Sequence, residues 1–383
     1  MHILLVEPSY YTRYPPLGLL KLASYHRDKG DSVELLRGCL PPHSKPDKIY
    51  VTSLFTWGWK EVWEAVRYYK GLFPGAEMCL GGIYASLMPE HAGLSGADYV
   101  HVGLFKEAED LMPAYDLVPE WEWSIMFASR GCPNHCLFCA VPNLEGGLNS
   151  LKFSIKHLIY PGHKRIIFWD NNILAAPNRK AVFDELKELG LEVDFNQGLD
   201  AMLLTPQIAE ELSSMKLPCV RLSYDRIGQR AFVKQAIELL ISHGIRGREI
   251  FVYVLYNYRD APNEFFERVR DVLSWGAVVY PMRFQPLDSL AYNSHISAKW
   301  VKERLKMLER VRRVLGFSGT FPPYSYLVKR FTEAHGFDEA FREPERLLDG
   351  GLKRRAHRVY NAAWRGGERD WRAIVPSFVK KEW

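Results

Sequence analysis

Short apolar runs alternate with amphipathic stretches along most of this chain, and that alternation constrains its fold more than any other feature. The strand-length runs Ile3–Val6, Val33–Leu36, Ile49–Thr52, Met78–Leu80 and Tyr99–Val102 are separated by segments of helical spacing, among them Leu17–Arg27 and Lys60–Gly71. Apolar strands joined by crossover helices predict a parallel α/β domain. Pro15-Pro16 ahead of the first helix and Gly30 after it fit helix start and stop signals. The segment Lys106–Glu122, with two prolines, reads as a connection. From Trp123 the alternation resumes with strands at Ser124–Ser129, Arg165–Asp170, Glu192–Gln197, Val220–Tyr224, Ile250–Leu255 and Val278–Phe284. Helices fit at Asn178–Leu189, Pro206–Met215, Arg230–Ser242 and Glu264–Ser274, with Thr205-Pro206 a good N-cap and first helical position. Six βα units in succession predict an open or partial parallel barrel with a ligand site at the carboxyl ends of its strands. Beyond Ser294 the pattern turns mainly helical (Trp300–Val314), then irregular around Phe321-Pro322-Pro323. The expected division is residues 1–111, a linker over 112–122, the barrel over 123–293 and a helical, basic C-terminal region over 294–383.

Composition narrows the class. No apolar run approaches the ~18–20 residues that a membrane span needs, and the N-terminus enters a strand without a basic leader, so a cytoplasmic protein is expected. Six cysteines in 383 residues are too few for a disulfide scaffold. Cys39, Cys79 and Cys219 are scattered and read as small core or loop residues. The other three fall within eight residues, which in a reducing compartment indicates metal binding or redox chemistry. Basic charge collects beyond Val301, with 19 Lys and Arg against 11 Asp and Glu. The stretch Lys353-Arg354-Arg355-Ala356-His357-Arg358, followed by Tyr360, Trp364 and Trp371, is compatible with an anionic substrate or nucleic acid and equally with a solvated helical surface.

The chemistry concentrates in Ser129-Arg130-Gly131-Cys132-Pro133-Asn134-His135-Cys136-Leu137-Phe138-Cys139. Three thiolates at C-x3-C-x2-C, just after a strand, can bind three irons of a [4Fe–4S] cubane and leave the fourth iron open to a chelating substrate. The rival is a zinc site, which takes four N/S ligands in paired spacings. His135 would have to be the fourth ligand from between two cysteines, a strained arrangement, and no second Cys or His pair follows nearby.

This motif, including Phe138 before the third cysteine, resembles the signature of the radical S-adenosylmethionine superfamily, with the likeness running from Trp123 to Pro286. The resemblance implies a cluster on Cys132, Cys136 and Cys139, with S-adenosylmethionine bound by polar residues at later strand ends. Carried over by position, these are Asp170, Asn171 and Asn172 for the methionyl amine, then Asn196 and Gln197, Ser223 and Asp225 (one of them for the ribose hydroxyls), and Asn257. The family often has glycines where this chain has Asp-Asn-Asn. Arg283 and Gln285 alternate onto one face at the barrel mouth. Arg283, which could grip a carboxylate or phosphate or close a salt bridge, and Tyr253 are the candidate catalytic side chains.

The first 111 residues resemble the Rossmann-like cobalamin-binding domain fused to one class of that superfamily. The likeness rests on Pro15-Pro16-Leu17-Gly18-Leu19-Leu20, Gly81-Gly82-Ile83-Tyr84-Ala85-Ser86 and Pro89-Glu90-His91. It implies cobalamin at the sheet's carboxyl edge, near Tyr10, Ser53, Trp57, Gly81, Gly82, Tyr84 and Gly103, with Trp57 and Tyr84 covering the macrocycle. The Asp-x-His-x-x-Gly pattern, by which other cobalamin proteins supply a histidine to cobalt, is absent. The expected protein is thus a radical enzyme, a cobalamin-dependent methyltransferase acting on an unactivated centre of a small-molecule or nucleotide-like substrate. It would draw electrons from a reducing partner such as flavodoxin or ferredoxin. The alternatives are radical chemistry without methyl transfer and a nucleic-acid-binding protein with a structural cluster.

Overall fold

The computed structural model describes residues 1–316 and 324–342, so the basic C-terminal stretch lies outside the described residues. The chain divides into two compact units, Met1–Val220 with Gln285–His295, and Arg221–Phe284 with the chain from Ile296 onward.

The first unit opens with a five-stranded sheet. Its strands are β1 (His2–Glu7), β2 (Ser32–Arg37), β3 (Lys48–Ser53), β4 (Glu77–Gly82) and β5 (Tyr99–Val100), all parallel, in the order β2-β1-β3-β4-β5. Helices α1 (Leu17–Asp28), α2 (Trp59–Leu72), α3 (Ile83–Leu87) and α4 (Pro89–Gly93) connect them. Strand β1 shows why its sequence is apolar without interruption. Leu4 and Val6 enter one core cluster with Val62, Ala65, Val66 and Tyr69 of α2. Ile3 and Leu5 enter another with Leu19 and Ala23 of α1. A strand covered on both faces has no polar side to offer, and each such buried aliphatic side chain contributes about 1.5–3 kcal/mol.

The segment after β5 is packed. Ala114 donates its amide to Leu20 O at 3.1 Å, and Ser24 donates its hydroxyl to Met112 O at 2.6 Å. Tyr115, fully buried, accepts the Ile125 amide at 2.6 Å and returns a hydrogen bond to Ile125 O. Residues 112–122 are therefore bound to α1 and to the next strand rather than left as a free tether.

A second parallel sheet follows, β6 (Trp123–Met126), β7 (Arg165–Phe168) and β8 (Glu192–Phe195) in that order, with α5 (Val141–Leu144), α6 (Arg179–Leu189) and α7 (Pro206–Ser213). Thr205 caps α7 by accepting the Ile208 amide, as its sequence requires.

The second unit contains β9 (Val220–Ser223) from Arg221 onward, β10 (Ile250–Tyr256) and β11 (Val278–Arg283) as a sheet ordered β11-β10-β9, with α8 (Arg230–Ser242), α9 (Pro262–Ser274), α10 (Lys302–Gly316), α11 (Tyr324–Glu333) and α12 (Phe337–Ala340). All six strands expected of a barrel are therefore present, but they hydrogen-bond as two three-stranded sheets rather than one ladder of six. At the outer edge of β8, Val193 donates to Lys216 O at 2.9 Å.

Gly82 ends β4 at φ +102, and a Cβ there would stand 2.2 Å from Ser53 O on β3. Gly82→Ala should therefore combine left-handed strain with a backbone clash and destabilise the first unit by at least ~2 kcal/mol. A fall in the urea midpoint measures it; an unchanged midpoint would mean that the β3–β4 contact is not tight.

Candidate active site

The cysteine loop begins where β6 ends. Ala128 and Ser129 are received by Asp170, two residues past β7, whose carboxylate accepts their amides at 2.9 and 2.6 Å and the Ser129 hydroxyl at 2.7 Å. Asp170 is 3% exposed. Burial pushes its pKa up to about 6, against these hydrogen bonds and the nearby Arg130 charge.

Arg130 comes next and is buried. Its Nε and Nη2 donate to the two carboxylate oxygens of Glu109 at 2.7 and 2.9 Å, and its Nη1 donates to Glu145 at 3.1 Å. Its guanidinium carbon sits 3.3 Å from the centroid of the Phe127 ring. Lys21 of α1 donates to Glu109 O at 2.7 Å. Burial lowers the pKa of Lys21 to about 8, against the Glu109 charge. Although burial works the other way, Arg130 and Lys21 hold Glu109 below the usual carboxylate range.

Gly131 then takes φ +76, where a Cβ would lie 2.1 Å from Gly147 O. Its amide donates to Glu145 Oε2 at 2.8 Å, and the Cys132 amide donates to Gly146 O at 3.2 Å. Arg130 and Asn149 exchange backbone hydrogen bonds at 2.9 and 2.8 Å. Further along, Asn134 Nδ2 donates to Asp200 Oδ2 at 3.0 Å. Cys132 and Cys139 are half-buried and Cys136 is exposed. The Asn134 amide lies 3.4 Å from Cys132 Sγ, and the Cys139 amide donates to Cys136 O at 3.0 Å, closing a turn that also carries the half-buried Phe138. Among the described residues no three metal-binding side chains converge. The donor set itself, three thiols on one accessible loop at the carboxyl ends of a parallel sheet, fits a cluster with three protein ligands.

The residues expected around S-adenosylmethionine fall into two groups. In the first unit, Asp170 is engaged as described, Asn171 Nδ2 donates to Glu145 Oε2 at 2.9 Å, and Asn172 Nδ2 donates to Asp200 Oδ2 at 3.1 Å. All three thus serve the cysteine loop. The Asn172 Oδ1 is buried with no hydrogen-bond partner. Asn196 donates to the Tyr14 hydroxyl at 2.9 Å, while Gln197 is exposed.

In the second unit, the fully buried Arg268 donates Nη1 to Tyr224 O and Leu255 O, both at 2.8 Å, and Nη2 to Asp260 at 2.8 Å. It thereby fixes the chain where β9 and β10 end. Beside it, burial pushes the Asp225 pKa up to about 6, opposed by the Arg268 charge and by a hydrogen bond with Ser223. Asn257 is buried at φ +63 and accepts the Ser297 amide at 3.0 Å. Tyr253 packs edge-on against Tyr280, with ring centroids 5.5 Å apart. Arg283 Nη1 donates to Glu309 of α10 at 2.7 Å, so a salt bridge engages it. Gln285, in the first unit, accepts the Asn293 amide at 2.9 Å.

At the carboxyl edge of the five-stranded sheet, Tyr84 and Ser53 are engaged by their own chain. Tyr84 is a core residue, fully buried, with its hydroxyl 2.6 Å from His91 Nδ1 and accepting from Trp63 at 3.2 Å. Ser53 is 2% exposed and bridges Gly81 O and the Ala85 amide, and Gly82 serves the close approach to Ser53. What stays open to a ligand is backbone and aromatic surface. A Cβ at Gly103 would meet nothing within 4 Å, and one at Gly81 only His101 at 3.7 Å. Trp57 is half-buried, stacked on Phe55 at 4.6 Å and 5.3 Å from Tyr292.

Glu7 at a strand end and Glu109, Glu145 and Asp200 in loops were missed from sequence because isolated acids carry no spacing signal. Glu7, at the carboxyl end of β1, is 4% exposed and paired with Arg37 Nε at 2.8 Å. Burial nonetheless pushes its pKa up to about 7. Tyr10 is raised too, by burial and then by the Glu7 charge.

Comparison with solved structures finds a likeness to TsrM, a radical S-adenosylmethionine methyltransferase from Kitasatospora setae solved with cobalamin and a [4Fe-4S] cluster bound. The TM-score is 0.60 at 14% identity, over 75% of this chain and 74% of that one. No protein-family profile and no curated protein matches the chain. At that identity the shared property is the fold: an α/β chain of parallel sheets and helices. Among the described residues no helix is long and apolar enough to cross a membrane.

A carboxyl whose pKa rises from 4.5 to about 7 on folding binds its proton more tightly in the folded chain. Its contribution to stability is full below 4.5 and is lost as pH rises through 7. Relative to Glu7→Gln, the wild-type urea midpoint should therefore fall between about pH 5 and about pH 8.5. Parallel pH curves for the two proteins would show that Arg37 pairing compensates burial in full.

Proposed function

We propose that this chain is a radical S-adenosylmethionine enzyme with a [4Fe–4S] cluster on Cys132, Cys136 and Cys139, and that it is a cobalamin-dependent methyltransferase. The observation that carries this reading is the position of the three thiols: they sit on the loop leaving β6, at the carboxyl end of a parallel sheet. A fold shared with a solved methyltransferase of that chemistry supports it. When bound, the cofactors would supply reductive cleavage of S-adenosylmethionine to an adenosyl radical and a transferable methyl group.

The chain's own residues do the holding. The three thiolates would hold the cluster through three of its irons, with S-adenosylmethionine bound beside it. Asp170 and the two asparagines after it fix the loop's approach. Ser223 and Asp225, placed by Arg268, offer a hydroxyl and a carboxyl for the ribose hydroxyls. The open backbone at Gly81 and Gly103, with Trp57 and Tyr10, forms the surface proposed for cobalamin. A small-molecule or nucleotide-like substrate, and a flavodoxin or ferredoxin as electron donor, complete the proposal.

A second reading, radical chemistry without methyl transfer, draws on the engagement of Ser53 and Tyr84 with their own chain, which leaves fewer side chains for a corrinoid.

Anaerobic purification with iron, sulfide and cobalt analysis separates these readings. About four irons and about one cobalt per chain, iron lost in Cys136→Ala, and label passing from S-adenosylmethionine to product are the expected results. Four irons and 5′-deoxyadenosine without cobalt uptake would transfer the assignment to the second reading. Absence of iron in the reconstituted wild type would overturn both.

A further inference from the structure

We propose that Glu145 and Asp200, two acids outside the cysteine motif, are positioning residues that clamp the first half of the cysteine loop. This inference rests on the cluster reading above. Glu145 follows α5 and meets the loop from downstream, accepting the Gly131 amide and Arg130 Nη1 at 2.8 and 3.1 Å. Asp200 follows β8 and accepts Asn134 from the loop itself at 3.0 Å. Both acids are tied to one place on the scaffold, the end of β7. The chain bends at Asn171, just past β7, and the two neighbouring asparagines reach different acids. Asn171 donates to Glu145 at 2.9 Å, while Asn172 donates to Asp200 at 3.1 Å.

The pair of asparagines thus acts as a yoke, and glycine at either position would remove one arm of it. Glu145 is in turn fixed by Arg130, which is locked by Glu109 through two hydrogen bonds. Asp200 is fixed by the Met202 amide at 3.0 Å. Hydrogen bonds to ionised acceptors are the stronger kind, and outer partners of this type orient metal-binding loops. The clamp ends at Asn134; beyond it His135, Cys136 and Leu137 are exposed. The consequence is a division of labour, in which Cys132 is set in place by the fold and the exposed turn brings Cys136 and Cys139 to the cluster.

Glu145→Ala, Asp200→Ala, Asp200→Asn and Asn134→Ala test the clamp with two readouts that do not depend on activity. In the metal-free protein, amide exchange of the peptide spanning Gly131–Cys136 should quicken about tenfold or more in the two alanine variants at positions 145 and 200, equivalent to about 1.4 kcal/mol. In the reconstituted protein, iron should pass to a chelator faster by a similar factor. Asp200→Asn should recover much of the difference, because the amides of Asn134 and Asn172 can turn to present their oxygens or nitrogens as needed. Asn134→Ala, at an exposed position, removes one arm without touching the interior and should move both readouts in the same direction even if the other variants fail to fold. Wild-type exchange and iron retention in Glu145→Ala, Asp200→Ala and Asn134→Ala would overturn the clamp and leave the cluster reading standing. A wild-type chain that takes up no iron would overturn the cluster reading, while quickened exchange in the metal-free variants would leave the clamp standing.

Discussion

A guanidinium inside a protein must be matched by charge, since burying it alone costs several kcal/mol. At Arg130 that requirement organises the first unit. Its fork accepts no single partner; it needs Glu109 on one side and Glu145 on the other, and Glu109 brings Lys21 of α1 with it. Two positive and two negative side chains balance, while their backbones come from a helix of the five-stranded sheet, the segment after β5, the cysteine loop and the chain after α5. None of these can shift without leaving a charge unmatched. The segment between the two sheets is consequently a packed element, reinforced by Tyr115 and the paired Arg27 and Asp116.

Periodicity made much of the architecture legible. The apolar runs, the cap at Thr205 and the prolines before α1 are local signals, and local physics decides them. The division of six strands into two sheets was not legible, because apolar runs mark strands without saying which of them share a ladder. The site shows the same contrast. Three cysteines at that spacing announce themselves. Asp170, Asn171 and Asn172 also stood out, as polar residues at a strand end, yet spacing could not tell whether they face a ligand or their own chain. Tyr84 illustrates the limit: an aromatic beside two glycines carries no signal of how deeply it is buried.

The second unit repeats the logic of the first with a different cation. Arg268 has no exposed surface and answers two backbone carbonyls and Asp260 together. Carbonyls where strands end lack ladder partners, and a fork with five donors satisfies several at once. The polar residues expected to meet a nucleoside, Ser223, Asp225 and Asn257, stand within a few residues of those carbonyls. Their placement therefore depends on a side chain from α9 rather than on the strands alone.

The first unit is not continuous in sequence. Gln285–His295 belongs to it, held by Thr56 donating to Ser289 O at 2.6 Å, by Trp59 donating to Leu290 O at 3.3 Å and by Tyr292 beside Trp57. During synthesis the ribosome must therefore pass through all of Arg221–Phe284 before this piece emerges, a wait of several seconds at about 5–20 residues per second. For that interval the nascent first unit lacks the segment that contacts Trp57 and Trp59, so its last packing step waits on a piece of chain made after another unit.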